Sequence, residues 1–334
     1  MKKKVFITGI TGMVGSHLLD YIFKNTNWDI HGLIRWRSPL DNIEKHLNAI
    51  NKGKRIFLHY GDLREINSLN RILKKIKPNY IFHLAAQSYP KTSFVMPVDT
   101  YETNIIGTSN LLEAIKIYSP KSLVHVCSSS EIFGRVSEDK LPINEDCTQH
   151  PSSPYAISKI GADNIAKFYF EAYKIKVLTT RMFTHTGPRR GDVFAESSFA
   201  KQIAMIENKL IPPIVNVGNL NSLRTIADVR DAVKAYYLLL TKKPIPGEVY
   251  NIGGNYTCKI SDILKFLIKL SKVKISFRVD KDRIRPIDAD LQIPDTTKFK
   301  KHTGWEPKIK FEKTMTDLLN YWRSQVKKKK FLKR

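Results

Sequence analysis

The sequence predicts an α/β fold: a doubly wound parallel sheet with a smaller C-terminal lobe. Three observations carry that expectation. The chain opens on an apolar run, Lys4-Val5-Phe6-Ile7-Thr8, that feeds a glycine-rich turn and then a helix. Five more short apolar runs follow up to residue 183, spaced by helix-length segments. Strands alternating with helices in this way imply parallel βαβ units. Past Thr184 the alternation gives way to turn-rich basic loops and separate amphipathic helices. A chain of 334 residues is long enough for one large α/β domain with an appended lobe.

The first strand, Lys4 to Thr8, runs into Gly9-Ile10-Thr11-Gly12-Met13-Val14-Gly15 and an amphipathic helix from Ser16 to Lys24. Glycines between a strand and a helix let backbone N–H groups approach a pyrophosphate, and the helix dipole favours negative charge there. The second strand, Asp29 to Ile34, ends in Arg35-Trp36-Arg37-Ser38. An NAD site usually places a carboxylate at this point; two arginines and a serine suit the 2′-phosphate of NADP, with NAD as the alternative. The third strand, Arg55 to Tyr60, leads to Asp62, which can accept from an adenine amino group or cap the following helix. The fourth, Tyr80 to Leu84, opens into Ala85-Ala86-Gln87-Ser88, where small residues allow a cofactor to pass close to the backbone. Thr103-Asn104 and a helix from Gly107 to Tyr118 follow.

The fifth strand, Leu123 to Ser128, ends in hydroxyls and a carboxylate: Ser128, Ser129, Ser130 and Glu131. Tyr155 and Lys159 stand four apart at the start of a helix running to about Tyr173, so phenol and ammonium share one face. This set suits carbonyl redox chemistry coupled to proton transfer at a neighbouring carbon. The sixth strand is Lys176 to Phe183. Ligands of such a sheet bind beyond the carboxyl ends of the strands, where all these motifs fall.

The second half begins with the basic loop His185 to Asp192. Helices are expected at 197–208, 228–240, 259–270 and 314–326, a turn at Asn216 to Asn219, a short strand at 248–252, and an irregular charged loop at 283–291. No internal repeat or low-complexity linker interrupts the chain.

The formal net charge is +25, from 56 Lys+Arg against 31 Asp+Glu. Lysine is spread through nearly every segment, which argues for compositional bias over a nucleic-acid interface and suits an anionic substrate. The dense cluster is the end, Lys327 to Arg334, expected to be a solvated terminus. Three cysteines fit no metal motif and no disulfide framework, so no metal is expected and a reducing cytoplasm is the natural compartment. No apolar run reaches about 18 residues, so no membrane insertion is expected.

The residues Gly9/Gly12/Gly15, Asp62, Ser129-Ser130-Glu131 and Tyr155/Lys159, each in its strand context, resemble the extended short-chain dehydrogenase/reductase superfamily. Ile34 to Ser38, Ala86-Gln87-Ser88, Ser128 to Gly134, Ser153-Pro154-Tyr155, Gly187 to Gly191 and Arg285 to Asp290 look most like GDP-mannose 4,6-dehydratases and related GDP-sugar dehydratases. The resemblance implies a Rossmann domain over 1–183, with later returns near 215–253, a mainly substrate-binding lobe over 184–326 and a basic tail over 327–334. It implies that Thr11 and Met13 join the glycine turn, and that Arg35, Arg37 and Ser38 hold the NADP phosphate. Asp62, Leu63, Leu84, Ala85, Ala86, Gln87, Ser88, Tyr101, Lys159, His185 and Arg190 would line the cofactor. Glu131 would be the base at sugar C5 and Tyr155 the base at the C4 hydroxyl, with Lys159 and the nicotinamide lowering the phenol's pKa. Ser129 falls where the family has threonine; it and Ser130 would hydrogen-bond the developing oxyanion, with Ser88 nearby. Arg224 and Arg285 would take the diphosphate of a GDP-linked sugar, and relatives form homodimers or homotetramers. A departure is Thr184, where the family usually has asparagine.

Three functions are thus weighed: a nucleotide-sugar 4,6-dehydratase, a 4-keto-sugar reductase or C4 epimerase of the same fold, and a non-catalytic NADP- or nucleic-acid-binding member. Glu131 discriminates the first from the second, because a plain reductase needs no carboxylate beside C5. The intact Tyr155, Lys159 and Glu131 weigh against the third.

Overall fold

A computed structural model describes residues 2–287 and 289–328. Asp288 and the tail residues Lys329, Lys330, Lys333 and Arg334 therefore lie outside the described residues.

The apolar runs become strands β1 (Lys4–Thr8), β2 (Asp29–Ile34), β3 (Ile56–Tyr60), β4 (Tyr80–His83), β5 (Leu123–Ser129) and β6 (Lys176–Met182). Together with Val249–Ile252 they form one seven-stranded sheet, ordered Val249–Ile252, β6, β5, β4, β1, β2, β3. All its pairings are parallel. Near-continuous apolar strands such as Val5-Phe6-Ile7, with no exposed surface, mark a sheet covered on both faces. The order turns round between β1 and β4, since β2 and β3 extend to one side and β5 and β6 to the other. A crevice opens at such a switch point, beyond the strand ends.

A second sheet centres on Leu223–Asp228. It pairs antiparallel with Tyr256–Lys259 and parallel with Leu291–Gln292 and His185–Thr186. Behind it the helices Ala195–Glu207, Ile260–Lys269 and Phe311–Lys327 interlock through Phe199, Ile203, Leu264, Leu267, Met315, Leu318 and Trp322. Among the described residues no helix is long and apolar enough to cross a membrane.

Several boundaries differ from expectation for local reasons. The first helix, α1 (Met13–Asn25), begins at Met13 rather than Ser16, with Gly12 as its cap. Glu65, not Asp62, caps the helix Ile66–Ile76, its carboxylate accepting from Asn67 N and Ser68 N at 2.7 Å each. The stretch Ile214–Val217, expected to lead only into a turn, is a strand because it pairs in parallel with Ser276–Val279. That partner lies far along the chain, and nothing local announces it.

Candidate active site

A cleft of about 1460 Å³ opens beyond the carboxyl ends of β1, β4, β5 and β6 and is closed from the other side by the second sheet and the 280–285 segment. A pocket for one small ligand usually holds about 300–1,000 Å³, so this one has room for a cofactor together with a substrate. All the sequence candidates border it except Arg37 and Tyr101. Both exceptions lie beside it. Tyr101 ends the helix Pro97–Tyr101, and Asp99 and Thr103 meet the cleft there instead. Arg37 borders a neighbouring hollow with Trp36, Tyr60 and Arg71, which joins the cleft through Arg35, Gly61 and Asp62.

The glycine turn is shaped by contact. Gly9 has φ +72°, and a Cβ there would lie 2.8 Å from Ala85 N. A Cβ on Gly15 would sit 2.1 Å from Gly9 O, so α1 folds directly onto the turn. The Gly12 cap offers no side-chain bond and the first turn holds no acidic residue. The orphan N–H groups at the start of this 13-residue helix are thus left for an anion. A dinucleotide pyrophosphate fits that cradle. At the end of β2, Ser38 closes a turn on Arg35, with Arg35 N donating to Ser38 Oγ at 2.9 Å and Ser38 N to Arg35 O at 3.0 Å. Asp62 is engaged by Arg64 at 3.2 Å. Partial burial opposes its ionisation, but the bonds from Arg64, with the charge of Arg35 beyond them, hold its carboxyl below the usual range.

The floor next to Leu84 and Ala85 is held from beneath. Thr8 Oγ1 accepts both Leu84 N and Ala85 N at 3.1 Å. It therefore donates to His83 Nδ1 at 2.9 Å, which leaves the His83 Nε2–H to meet Thr108 Oγ1 at 2.9 Å. Burial drives His83 down to about 3, with the charge of Lys159 adding, so the ring is neutral as this relay requires. Asn104 lies in a single π-helical turn, Glu102–Ile106, and ties Gln87 N and O to Ser158 Oγ at 2.8–2.9 Å. Sequence reasoning noted Asn104 without a role and missed Thr8 and His83. Their polarity inside a buried strand end was the available signal.

The reacting groups converge from β5 and the helix Pro154–Tyr173. Ser153 Oγ caps this helix at Ala156 N (3.0 Å), and Ser93 Oγ accepts Tyr155 N (3.0 Å), pinning the phenol's backbone. Ser129 Oγ accepts Glu131 N at 3.2 Å and shapes the turn Ser130–Phe133 that carries the carboxylate. Gly134 ends that turn at φ +57°, where a Cβ would fall 1.6 Å from His150 O.

Lys159 is buried and donates to Cys127 O at 2.7 Å, its ammonium 5.9 Å from the centroid of the Tyr155 ring. The hydrogen bond of the ammonium thus goes to the β5 backbone. Burial pushes the phenol well above its ordinary value, Cys127 and Glu131 add to the rise, and only Ser129 and Arg190 pull it down. Burial also lowers the Lys159 pKa.

His185 bonds Phe183 O at 3.1 Å and is brought down to about 4 by burial and by Arg190, so it is a neutral wall residue. Arg190 is held by Glu196 at 3.3 Å, with its Cζ 3.3 Å from the centroid of the Phe194 ring. Arg224 is buried and donates to Leu223 O and Asp290 O at 3.1 and 3.2 Å. Arg285 reaches across to Glu131, with Nη1 and Oε1 3.7 Å apart. Among the described residues no group of three or more His, Cys, Asp or Glu side chains could hold a metal ion.

A parallel doubly wound sheet, a glycine cradle at α1 and a buried Tyr155/Lys159 pair beyond β5 define a protein of the short-chain dehydrogenase/reductase class. Residues 6–318 match the model of the GDP-mannose 4,6 dehydratase family, and the chain belongs to that family. It is 30% identical over 328 residues to the GDP-6-deoxy-D-mannose reductase of Pseudomonas aeruginosa, covering 98% of this chain and 99% of that one. It is 31% identical over 342 residues to the GDP-mannose 4,6 dehydratase of Drosophila melanogaster, covering 95% and 85%. In structure it superimposes on Pseudomonas aeruginosa RMD complexed with NADPH at a TM-score of 0.83 and 29% identity, covering 97% of this chain and all of the other.

Proposed function

We propose that the protein is a GDP-sugar 4,6-dehydratase. It converts GDP-mannose, or a close relative such as GDP-N-acetylglucosamine or a GDP-heptose, to the 4-keto-6-deoxy sugar. The observation that carries this reading is Glu131, a carboxylate set in the same cleft as Tyr155 and Ser129. NADP is the proposed cofactor: the N–H cradle of α1 takes its pyrophosphate, and Arg35 with Ser38 takes the 2′-phosphate. When bound, it would supply the acceptor for hydride from C4 and the source of hydride for C6. Tyr155 removes the C4 hydroxyl proton. Its phenol is raised by burial, so Lys159 and the cationic ring of the cofactor together must favour the phenolate. Ser129 and Ser130 steady the oxygen at C4. The ketone acidifies C5–H, Glu131 takes that proton and passes it to the C6 hydroxyl, which leaves as water, and C5 regains a proton as hydride reaches C6. Arg224 and Arg285 anchor the diphosphate through guanidinium forks. The substrate lobe is assigned to 184–326, the cofactor domain to 1–183 with returns near 215–253. A homodimer or homotetramer is supported by exposed apolar side chains such as Val95, Val98 and Phe168. The free thiols of Cys127, Cys147 and Cys258 suit a cytoplasmic setting.

The second reading is a GDP-4-keto-sugar reductase, favoured by the identity to the Pseudomonas aeruginosa reductase. One assay separates them. The NADP-loaded protein is incubated with each GDP-sugar and no reductant, and products are weighed by mass spectrometry. Loss of one water establishes the dehydratase. No water loss, with NADPH consumed only in the presence of a 4-keto sugar, establishes the reductase.

A further inference from the structure

The contact between Arg285 and Glu131 joins groups with different tasks. Glu131 stands on the turn after β5, on the sheet side of the cleft. Arg285 comes from the opposite wall, on the segment that follows Ser276–Val279. The pair is half-sheltered, with the side chains 24% and 17% exposed, so water weakens it less than it would a surface pair. The arginine's segment is held in place independently. Arg283 is fixed by Asp280 and by Ser198 Oγ, each at 3.2 Å, and Lys91 donates to Asp282 O from the sheet side. Gly218 backs against it so closely that a Cβ would meet Arg283 O at 2.6 Å. The guanidinium is thereby carried to the carboxylate by a braced strap.

A carboxylate drawn toward an arginine is oriented toward that partner rather than into the cleft. A diphosphate carries more charge and more acceptor oxygens than one carboxylate, and it matches the guanidinium fork. We infer that Arg285 is a shared cation: it caps Glu131 until the nucleotide-sugar diphosphate claims it, and so frees the base only when substrate is seated. The inference rests on the reading that Arg285 meets the diphosphate. It makes Arg285 a positioning residue for the base as well as an anchor, and it guards the cleft against proton abstraction from ligands that lack the diphosphate.

Competition for one cation has a thermodynamic signature that needs no turnover. GDP binding to the NADP-loaded protein is measured by calorimetry in wild type, E131Q, R285Q and the double variant. Removing the competing charge should tighten GDP binding in E131Q by about two- to fivefold, the size of a modest ion pair. The gain should disappear when E131Q is made in the R285Q background and partly return with R285K, which keeps the charge but loses the fork. Equal or weaker GDP binding by E131Q overturns the inference. So does a full gain in the R285Q background, or an R285Q variant that binds GDP as well as wild type. Water loss from GDP-mannose is scored separately. Wild type that binds GDP but releases no water defeats the dehydratase reading and leaves the cycle standing; wild type that dehydrates while E131Q shows no Arg285-dependent gain defeats the shared cation alone.

Discussion

Glu131→Gln separates the two halves of the proposed reaction. The substitution keeps the shape of the side chain and the backbone bond from Glu131 N to Ser129 Oγ at 3.2 Å, so the turn survives. It leaves the Lys159–Cys127 bond in place, and it removes a charge that raises the Tyr155 phenol, which does not hinder the C4 step. What disappears is the ability to take a proton at C5. A positioned general base contributes about 10²–10⁴ in rate, which is roughly 2.7–5.4 kcal/mol of barrier. Dehydration should slow by that factor while C4 oxidation continues, so a 4-keto hexose with its C6 hydroxyl intact accumulates. Rapid-quench mass spectrometry in deuterium oxide reads both events. Wild type should place solvent deuterium at C5 and lose water; E131Q should show the ketone without either. Water release by E131Q within about threefold of wild type would refute the assignment of the base, and equal loss of C4 oxidation would show that Glu131 serves the redox step instead.

Other perturbations test the surrounding frame. Replacing Arg35 with Glu should raise the KM for NADP by about 10- to 100-fold, the worth of a charge-assisted hydrogen bond, with little change for NAD; parallel steady-state measurements check this. Gly134→Ala forces a Cβ to 1.6 Å from His150 O at a φ of +57°. It should cost more than about 3 kcal/mol, visible as a fall in Tm with loss of dehydration, because the same turn carries Glu131. His83 and His125 are both driven down to about 3, chiefly by burial. Their folded pKa values lie below the unfolded value, so the unfolded chain binds protons first. The stability present at neutral pH is lost as pH falls below about 6.5, by roughly 2 kcal/mol per histidine near pH 5. Denaturant midpoints at the two pH values test this, and a flat profile would contradict the buried neutral rings.

The cofactor half of the cleft was legible because its signals are local. Lys4 to Gly15 spells strand, turn and helix within a few residues, and Tyr155 and Lys159 share a face by spacing alone. The parts that stayed hidden depend on residues brought from afar. The strand Ile214–Val217 exists because Ser276–Val279 lies beside it. The ammonium of Lys159 settles on the carbonyl of Cys127, and so departs from the simple Tyr155 pairing, because β5 passes under the helix. The ion pair of Glu131 with Arg285 spans more than 150 positions, and its existence follows from how the strap at 280–285 crosses the cleft. Arg37 borders the outer hollow, in a turn that the Ser38 hydroxyl closes on Arg35 N, a detail of backbone that composition does not encode.

The late return of the chain to the main sheet also governs how the protein is made. Val249–Ile252 lies along β6, from Val249 opposite Thr179 to Ile252 opposite Met182. During synthesis β6 therefore emerges as a bare sheet margin and stays so until some seventy further residues have followed it. Parallel closure over such a span is slow, and an open edge is a template for foreign strands. A fragment cut at residue 183 would retain that margin permanently. It would be a source of aggregates rather than a free-standing nucleotide binder, and the nascent chain has reason to engage a chaperone until residue 252 has joined the sheet.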